Sequence, residues 1–306
     1  MKKIKRLLLL MSALLLALSG CAEQAAPQDG SFTDALNRSI PLREYSRVVV
    51  ASGSFAELWQ LAGGELLGTT DDAFKNGLSI PAATGNVGSL LSPSVEAIIA
   101  LSPDLVLLSA DISGHTALIE TLSSADIAAA AFSVESFDDY LSVLKICTDI
   151  TGRGDLYAQN GLRIQEQIQG VIAKTKDKPA PKVLFLRAGA GKVSARGSDT
   201  MAGIMLRNMG CANITDSDDT LLDNLSMEVI IEQDPDFIFT VTQGDSEENA
   251  QKALQDTLLS NPAWANLSAV KNNRCITLPK DLFHLKPNDR WAEAFQMLWD
   301  ILYGEA

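Results

Sequence analysis

Ser94-Val-Glu-Ala-Ile-Ile-Ala-Leu-Ser-Pro-Asp-Leu-Val-Leu107 and Ser226-Met-Glu-Val-Ile-Ile-Glu-Gln-Asp-Pro-Asp-Phe-Ile-Phe239 align without a gap, 132 residues apart. Each copy offers a hydroxyl side chain placed to cap a helix, a glutamate in the first turn and an Ile-Ile pair. Pro-Asp and a run of large apolar residues follow, an order that reads as helix, break and buried strand. Pro103 and Pro235 make the break, because a ring nitrogen has no hydrogen to donate and the ring clashes with the preceding turn. One αβ unit written twice at this distance implies two similar lobes, and two lobes imply a cleft between them.

The rest of the chain fits that frame. Phe32 to Leu42 reads as a short hairpin, and Arg47-Val-Val-Val-Ala-Ser-Gly-Ser54 as a buried strand running into a turn. Phe55 to Gly64 reads as a helix stopped by glycine. The first lobe spans 32–153. A polar-faced helical pattern over Asp155–Lys176 places a linking helix at 154–178, and 22 helical residues reach about 33 Å. The second lobe, 179–306, opens on the buried strand Lys182-Val-Leu-Phe-Leu186, followed by a glycine-rich loop from Arg187 to Gly197. Alternating strands and helices imply parallel sheets. The fold class is therefore α/β, two doubly wound Rossmann-like lobes joined by one long helix.

At the start, Lys2, Lys3, Lys5 and Arg6 precede an apolar run ending in Leu18-Ser-Gly-Cys21, too short and wrongly flanked for a spanning helix. Residues 1–21 read as an export signal and 22–31 as a small, polar tether. The chain carries 25 basic and 38 acidic side chains; without the four basic residues of the signal the balance is 21 against 38, a net charge of −17. So acidic a body excludes a nucleic-acid partner, which needs a basic face. With 46% hydrophobic residues it has ample core. Cys147, Cys211 and Cys275 fit no zinc spacing. Cys211 and Cys275 are either a pair or two small buried apolar residues.

The Leu18–Cys21 ending resembles the bacterial lipobox, in which the cysteine receives a diacylglycerol; Cys21 is then the lipidation site, and two acyl chains anchor stably. Together with Thr33-Asp-Ala-Leu-Asn-Arg38, Val48-Val-Val-Ala-Ser52, the two repeat copies and Pro287-Asn-Asp-Arg-Trp291, the chain resembles the helix-linked, two-lobed substrate-binding lipoproteins of ABC importers for ferric siderophores, haem and cobalamin. The resemblance covers essentially the whole mature chain. It implies an exported protein, anchored by lipid to the outer face of the cytoplasmic membrane, a monomer that is no enzyme. Its partners would be a permease dimer with a cytoplasmic ATPase. It also implies that Glu96 and Glu228, by their place in the repeat, dock onto basic pockets of the permease, where complementary charge steers association. Each glutamate equally favours its own helix near the positive N-terminal end.

The ligand belongs where strands end, between the lobes. The candidates on the first lobe are Ser52 to Phe55, Asp71, Asp72, Gly88 to Leu91, Asp111 and His115. On the second they are Arg187, Lys192, Arg196, Gln243 and the segment from Phe283 to Trp291, which holds His284, Lys286 and Arg290. A basic cluster on an acidic protein suits an anionic ligand such as a ferric catecholate complex or haem propionates. The aromatic residues Phe55, Phe74, Phe283 and Trp291 suit a corrinoid equally. No intrinsic cofactor is expected and no metal ligands are assigned. His115 and His284, one per lobe, are axial-ligand candidates if the ligand is haem. Direct zinc or manganese capture would need Asp71, Asp72 and Asp111 to join them.

Enzymatic readings find less support. Gly189-Ala-Gly191 lacks Walker spacing, and Ser52-Gly-Ser54 lacks the nucleophile-elbow pattern. An exported α/β enzyme with its site in the cleft remains the rival class, and a ligand-binding lipoprotein sensor without a permease is a third.

Overall fold

The computed structural model describes residues 30–75, 77–244 and 246–304. The signal peptide, Cys21 and most of the tether lie outside the described residues. The tether's expected last residues, Gly30 and Ser31, already belong to strand β1.

Strands β1 (Gly30–Thr33) and β2 (Ser39–Leu42) form the entrance hairpin. The first lobe then builds its sheet from β3 (Val48–Val50), β4 (Gly68–Thr69), β5 (Gly85–Asn86), β8 (Leu105–Ser109) and β9 (Ala128–Phe132). The small hairpin β6 (Gly88–Ser89) and β7 (Ser92–Pro93) sits between β5 and β8. Spatial order is β5-β4-β3-β8-β9 with every neighbour parallel, so the order reverses between β3 and β8.

The linking helix runs without interruption over 154–173 and continues as hydrogen-bonded turns to 177, short of the expected 178. Over Ala158–Leu162 it widens to i→i+5 bonding. There the buried Asn160 gives its side-chain amide to Leu61 O at 2.8 Å, and its carbonyl accepts from Tyr140 Oη at 2.9 Å. These bonds tie the linking helix to the first lobe.

The second sheet comprises β10 (Lys182–Gly189), β11 (Lys192–Ala195), β12 (Ala212–Asn213), β13 (Phe237–Thr242) and β14 (Cys275–Thr277). β10 pairs in parallel with β12 and β13, β13 with β14, and only β11 runs antiparallel. The expected glycine-rich loop is therefore mostly a hairpin: Arg187 pairs with Ser194 inside the β10–β11 ladder, and only 190–191 turn. Gly191, at φ +76°, supplies the left-handed conformation the turn needs.

Cys211 and Cys275 are both free. Cys211 precedes β12 at one edge and Cys275 lies in β14 at the other, three strand spacings away, about 14 Å at ~4.8 Å each. A disulfide requires Cα atoms within about 7 Å. Burial pushes the Cys211 thiol up to about 12, which leaves it inert.

Side-chain parity on the strands explains how the lobes are joined. Val48, Val50, Leu105 and Leu107 face the same apolar cluster as Val183, Phe185, Phe237 and Phe239, and that cluster takes in Ile164, Ile168 and Val171 of the linking helix. Val49, Val106 and Ile98 belong to a separate cluster on the outer face of the first sheet, and Leu184, Ile238 and Ile230 to its counterpart on the second. One continuous core thus runs from lobe to lobe, and each lobe keeps a private core outside it.

Candidate functional site

The repeat carries over into matching caps and anchors in the two lobes. Ser94 and Ser226 cap their helices, accepting from Ala97 N at 3.2 Å and Val229 N at 3.4 Å. Ser102 and Asp234, equivalent in the repeat, both leave the helix in the left-handed region (φ +49° and +41°). The aspartates of Pro-Asp then tie each lobe's first strand. Asp104 accepts from Ser46 N and Arg47 N at 3.0 Å, Asp236 from Lys182 N at 2.8 Å. Arg47 and Lys182 in turn cap the ends of the repeat helices, donating to Leu101 O and Gln233 O respectively. A cation at a helix C-terminus meets the negative end of its dipole.

The strands so anchored open at their other ends onto one cavity of about 610 Å³ between the lobes. Ser52, Ser54 and Phe55 follow β3; Asp71 and Asp72 follow β4; Leu90 and Leu91 form the turn between β6 and β7; Ser109 ends β8 and Ile112 follows it. From the second lobe come Gln243 after β13, and Lys280, His284 and Lys286 after β14. Both segments at the first lobe's order reversal, after β3 and β8, reach the cavity, as expected for an open parallel sheet. The second lobe opens at Gln243; Thr240, just past the second repeat copy, is buried within β13 and its hydroxyl bonds Thr277 Oγ1 at 3.1 Å.

The two walls differ in chemistry. The first lobe presents Phe55, Leu90, Leu91 and Ile112 together with Asp71, Asp72 and Lys75, with Leu91 71% exposed. The second presents cations. Lys286 Nζ lies 5.8 Å from the Phe55 ring centroid, and Lys280 donates to Gly244 O at 2.6 Å. His284 is pushed down to about 4 by burial and then by the positive charges of Arg187, Lys280, Lys286 and Arg196, so its imidazole is neutral at pH 7. Arg187 is held below the usual guanidinium value by burial and by Arg196. Among the described residues, Arg187 Nε, Arg196 Nε and His284 Nδ1 are buried without hydrogen-bond partners; of these residues His284 lines the cavity, and the two arginines lie near enough to lower its pKa. Each such unmade bond costs roughly 1–3 kcal/mol, and a folded protein seldom leaves several together without use.

Other candidates are engaged in bonds within the first lobe. His115 is fully buried; its Nδ1 accepts from Ser109 N at 3.0 Å and its Nε2 donates to Leu90 O at 2.6 Å. With both nitrogens engaged it is no axial ligand. Asp72 borders the cavity but supports the helix Gly53–Leu61, accepting from Gly53 N at 2.8 Å and Thr70 Oγ1 at 2.6 Å. Asp71 pairs with Lys75, and Asp111 accepts from Ser133 Oγ. These carboxylates do not converge with the histidines. Among the described residues no group of three or more His, Cys, Asp or Glu side chains is arranged to hold a metal ion.

Phe283 and Trp291 are 2% and 1% exposed in the shared core, Trp291 edge-on to Phe137 with ring centroids 5.9 Å apart. Arg290 is committed to Asp281 and Glu293, which raise its pKa, and faces a neighbouring chamber of about 590 Å³. Lys192 is exposed on β11, away from the cavity lining. Lys280 and Ile112 went unread in the sequence, though the rule that sites follow strand ends points to both.

Between the two chambers the lobes are clasped. Asn288, buried and at φ +53°, donates from Nδ2 to Ser54 O at 3.0 Å and to Glu57 Oε2 at 2.6 Å. Glu57 has its pKa raised by burial.

A model of the periplasmic binding protein family matches residues 48–282. The chain is similar to the Fe(3+)-citrate-binding protein YfmC of Bacillus subtilis (24% identical over 295 residues, 90% of each chain). It is also similar to a cobalamin-binding protein of Halobacterium salinarum (27% over 279 residues, 86% of this chain and 73% of the relative). Among solved structures, an ABC transporter substrate-binding protein from Listeria monocytogenes superposes with a TM-score of 0.72 at 22% identity, covering 86% of this chain and all of that one.

Proposed function

The chain belongs to the periplasmic binding protein family, and from that membership we propose that it is the substrate-binding component of an ABC importer, capturing an anionic ferric chelate between its lobes. The observation that carries the reading is the cavity's second-lobe side, where Lys280, Lys286 and His284 face a first-lobe side that mixes Phe55, Leu90, Leu91 and Ile112 with Asp71, Asp72 and Lys75. A metal chelate with an organic shell and peripheral carboxylate or catecholate oxygens matches both walls. Lysines are donors that suit such oxygens. Relatives named for iron citrate and for cobalamin lend support from outside the chain.

Haem is the second reading, favoured by one observation: His284 keeps a neutral, unpartnered Nδ1 at the cavity. A neutral imidazole is the form that ligates haem iron. The iron here is cargo, and the protein holds no cofactor of its own. Loaded protein is delivered to a permease and ATPase pair, with Glu96 and Glu228 docking, both exposed on the equivalent repeat helices. The chain acts as a monomer without turning its ligand over. Acylation at Cys21 holds it at the outer face of the membrane; among the described residues no helix is long and apolar enough to cross one.

Titration of purified protein with ferric citrate, haemin and cyanocobalamin, followed by absorbance and by tryptophan fluorescence, tests this. Saturable one-to-one binding of a ferric chelate or haemin with no chemical change is expected. Binding of none, or conversion of the probe to product, would overturn it.

A further inference from the structure

The two repeat copies agree at six of fourteen positions: Ser94/Ser226, Glu96/Glu228, Ile98/Ile230, Ile99/Ile231, Pro103/Pro235 and Asp104/Asp236. Four of these have a task inside the molecule. The serines cap, Ile98 and Ile230 are fully buried, the prolines are buried at the break, and the aspartates hold the first strand. Of the remaining two pairs, the glutamates sit in the first helical turn, where Glu96 accepts from Ser94 Oγ at 3.0 Å, and the isoleucines project outward. Both glutamates are exposed, and Ile99 and Ile231 are 37% and 42% exposed although isoleucine is no better a helix former than many polar residues. Positions 96 and 99, like 228 and 231, are three apart and so lie on one helix face. Elsewhere on the same surface the copies diverge freely, Ala100 against Glu232 and Ser102 against Asp234.

We propose that Ile99 and Ile231 are the apolar anchors of two matched docking patches, each a glutamate beside an isoleucine, that seat the two lobes on two equivalent sockets of the permease. The proposal rests on the receptor reading above and adds what the glutamates alone lack. A socket that receives Glu96 or Glu228 must carry a cation, and the neighbouring isoleucine buries apolar surface that excludes water around that pair. Apolar neighbours that exclude water in this way are typical of strong contacts in interfaces. Matched patches on the two lobes call for a partner with two like subunits, which a permease dimer supplies.

The test replaces the full-length chain in its own host with variants and follows uptake of 55Fe-ferric citrate, 55Fe-haemin and 57Co-cobalamin in parallel, with Kd and Tm measured on the same purified proteins. I99S and I231S are each expected to lower uptake about threefold or more, and the double variant about tenfold or more, as for loss of central apolar contacts. Kd and Tm should stay as in the unaltered protein. I99L/I231L should restore uptake, and L162S, which alters another exposed leucine on the linking helix, should leave it unchanged. Normal uptake by I99S/I231S while E96Q/E228Q fails would overturn the apolar anchors and leave the receptor reading standing. So would a fall in uptake accompanied by an equal fall in ligand affinity. An unaltered protein that binds a probe but supports no uptake would overturn the receptor reading, and the docking patches with it.

Discussion

His284 and His115 look alike in the sequence, each a lone imidazole after a strand. They diverge because Ser109 N and Leu90 O come from separate segments to occupy both nitrogens of one, while cations surround the other. No local pattern carries that difference. For His284 the ordinary value near 6.5 falls to about 4 in the folded chain, so between those values the unfolded chain binds more protons. Its contribution to stability is intact above about 6.5 and is lost as the pH drops toward 4. Tm should therefore fall less steeply over this range in H284Q than in the unaltered protein; equal slopes would show that His284 is not held neutral by its surroundings. Asn288 was read only as part of a terminal motif, yet it closes the lobes at Ser54 and Glu57. N288A is expected to cost about 2 kcal/mol in chemical denaturation, because it removes two bonds and leaves a half-buried carboxylate without its donor. An unchanged midpoint would mean the clasp is idle. Trp291 and Arg290 belong to the same motif but turn to the core and to Asp281 and Glu293.

Elements were more legible than residues. The repeat located two helices and two central strands, since capping serines, prolines and apolar runs act locally. What it left unread was the part played by Arg47 and Lys182, whose side chains close the repeat helices from positions well before them in sequence. Glycines misled at Arg187–Gly197: composition favours a loop, but a two-residue turn suffices once Leu186 to Gly189 find antiparallel partners. The matched aspartates yield a paired expectation. D104A and D236A should each lower stability by about 1 kcal/mol, through the same loss of a first-strand anchor, and the double variant should show the sum. A large effect at one site and none at the other, measured by urea denaturation, would contradict their equivalence.

At the scale of the molecule, charge and architecture pull in opposite directions. The chain carries a net charge of −13, yet its second lobe turns a cluster of cations toward the cleft, which distinguishes an anion-receiving wall from the acidic exterior. Of the cationic candidates read from the sequence Lys286 lines the cavity, whereas Arg187, Lys192, Arg196 and Arg290 stand outside its lining. A core continuous through both lobes and a clasp at Asn288 favour a small closure over a wide hinge motion. The basic wall is the central claim, and one equilibrium measurement addresses it: the Kd of the purified chain for ferric citrate with and without K280Q/K286Q. The unaltered protein should bind saturably, and the double variant should bind about tenfold or more weakly, as expected for loss of charge-assisted bonds of about 1.5–3 kcal/mol each. Equal affinity in the two proteins, with folding intact, would contradict the account.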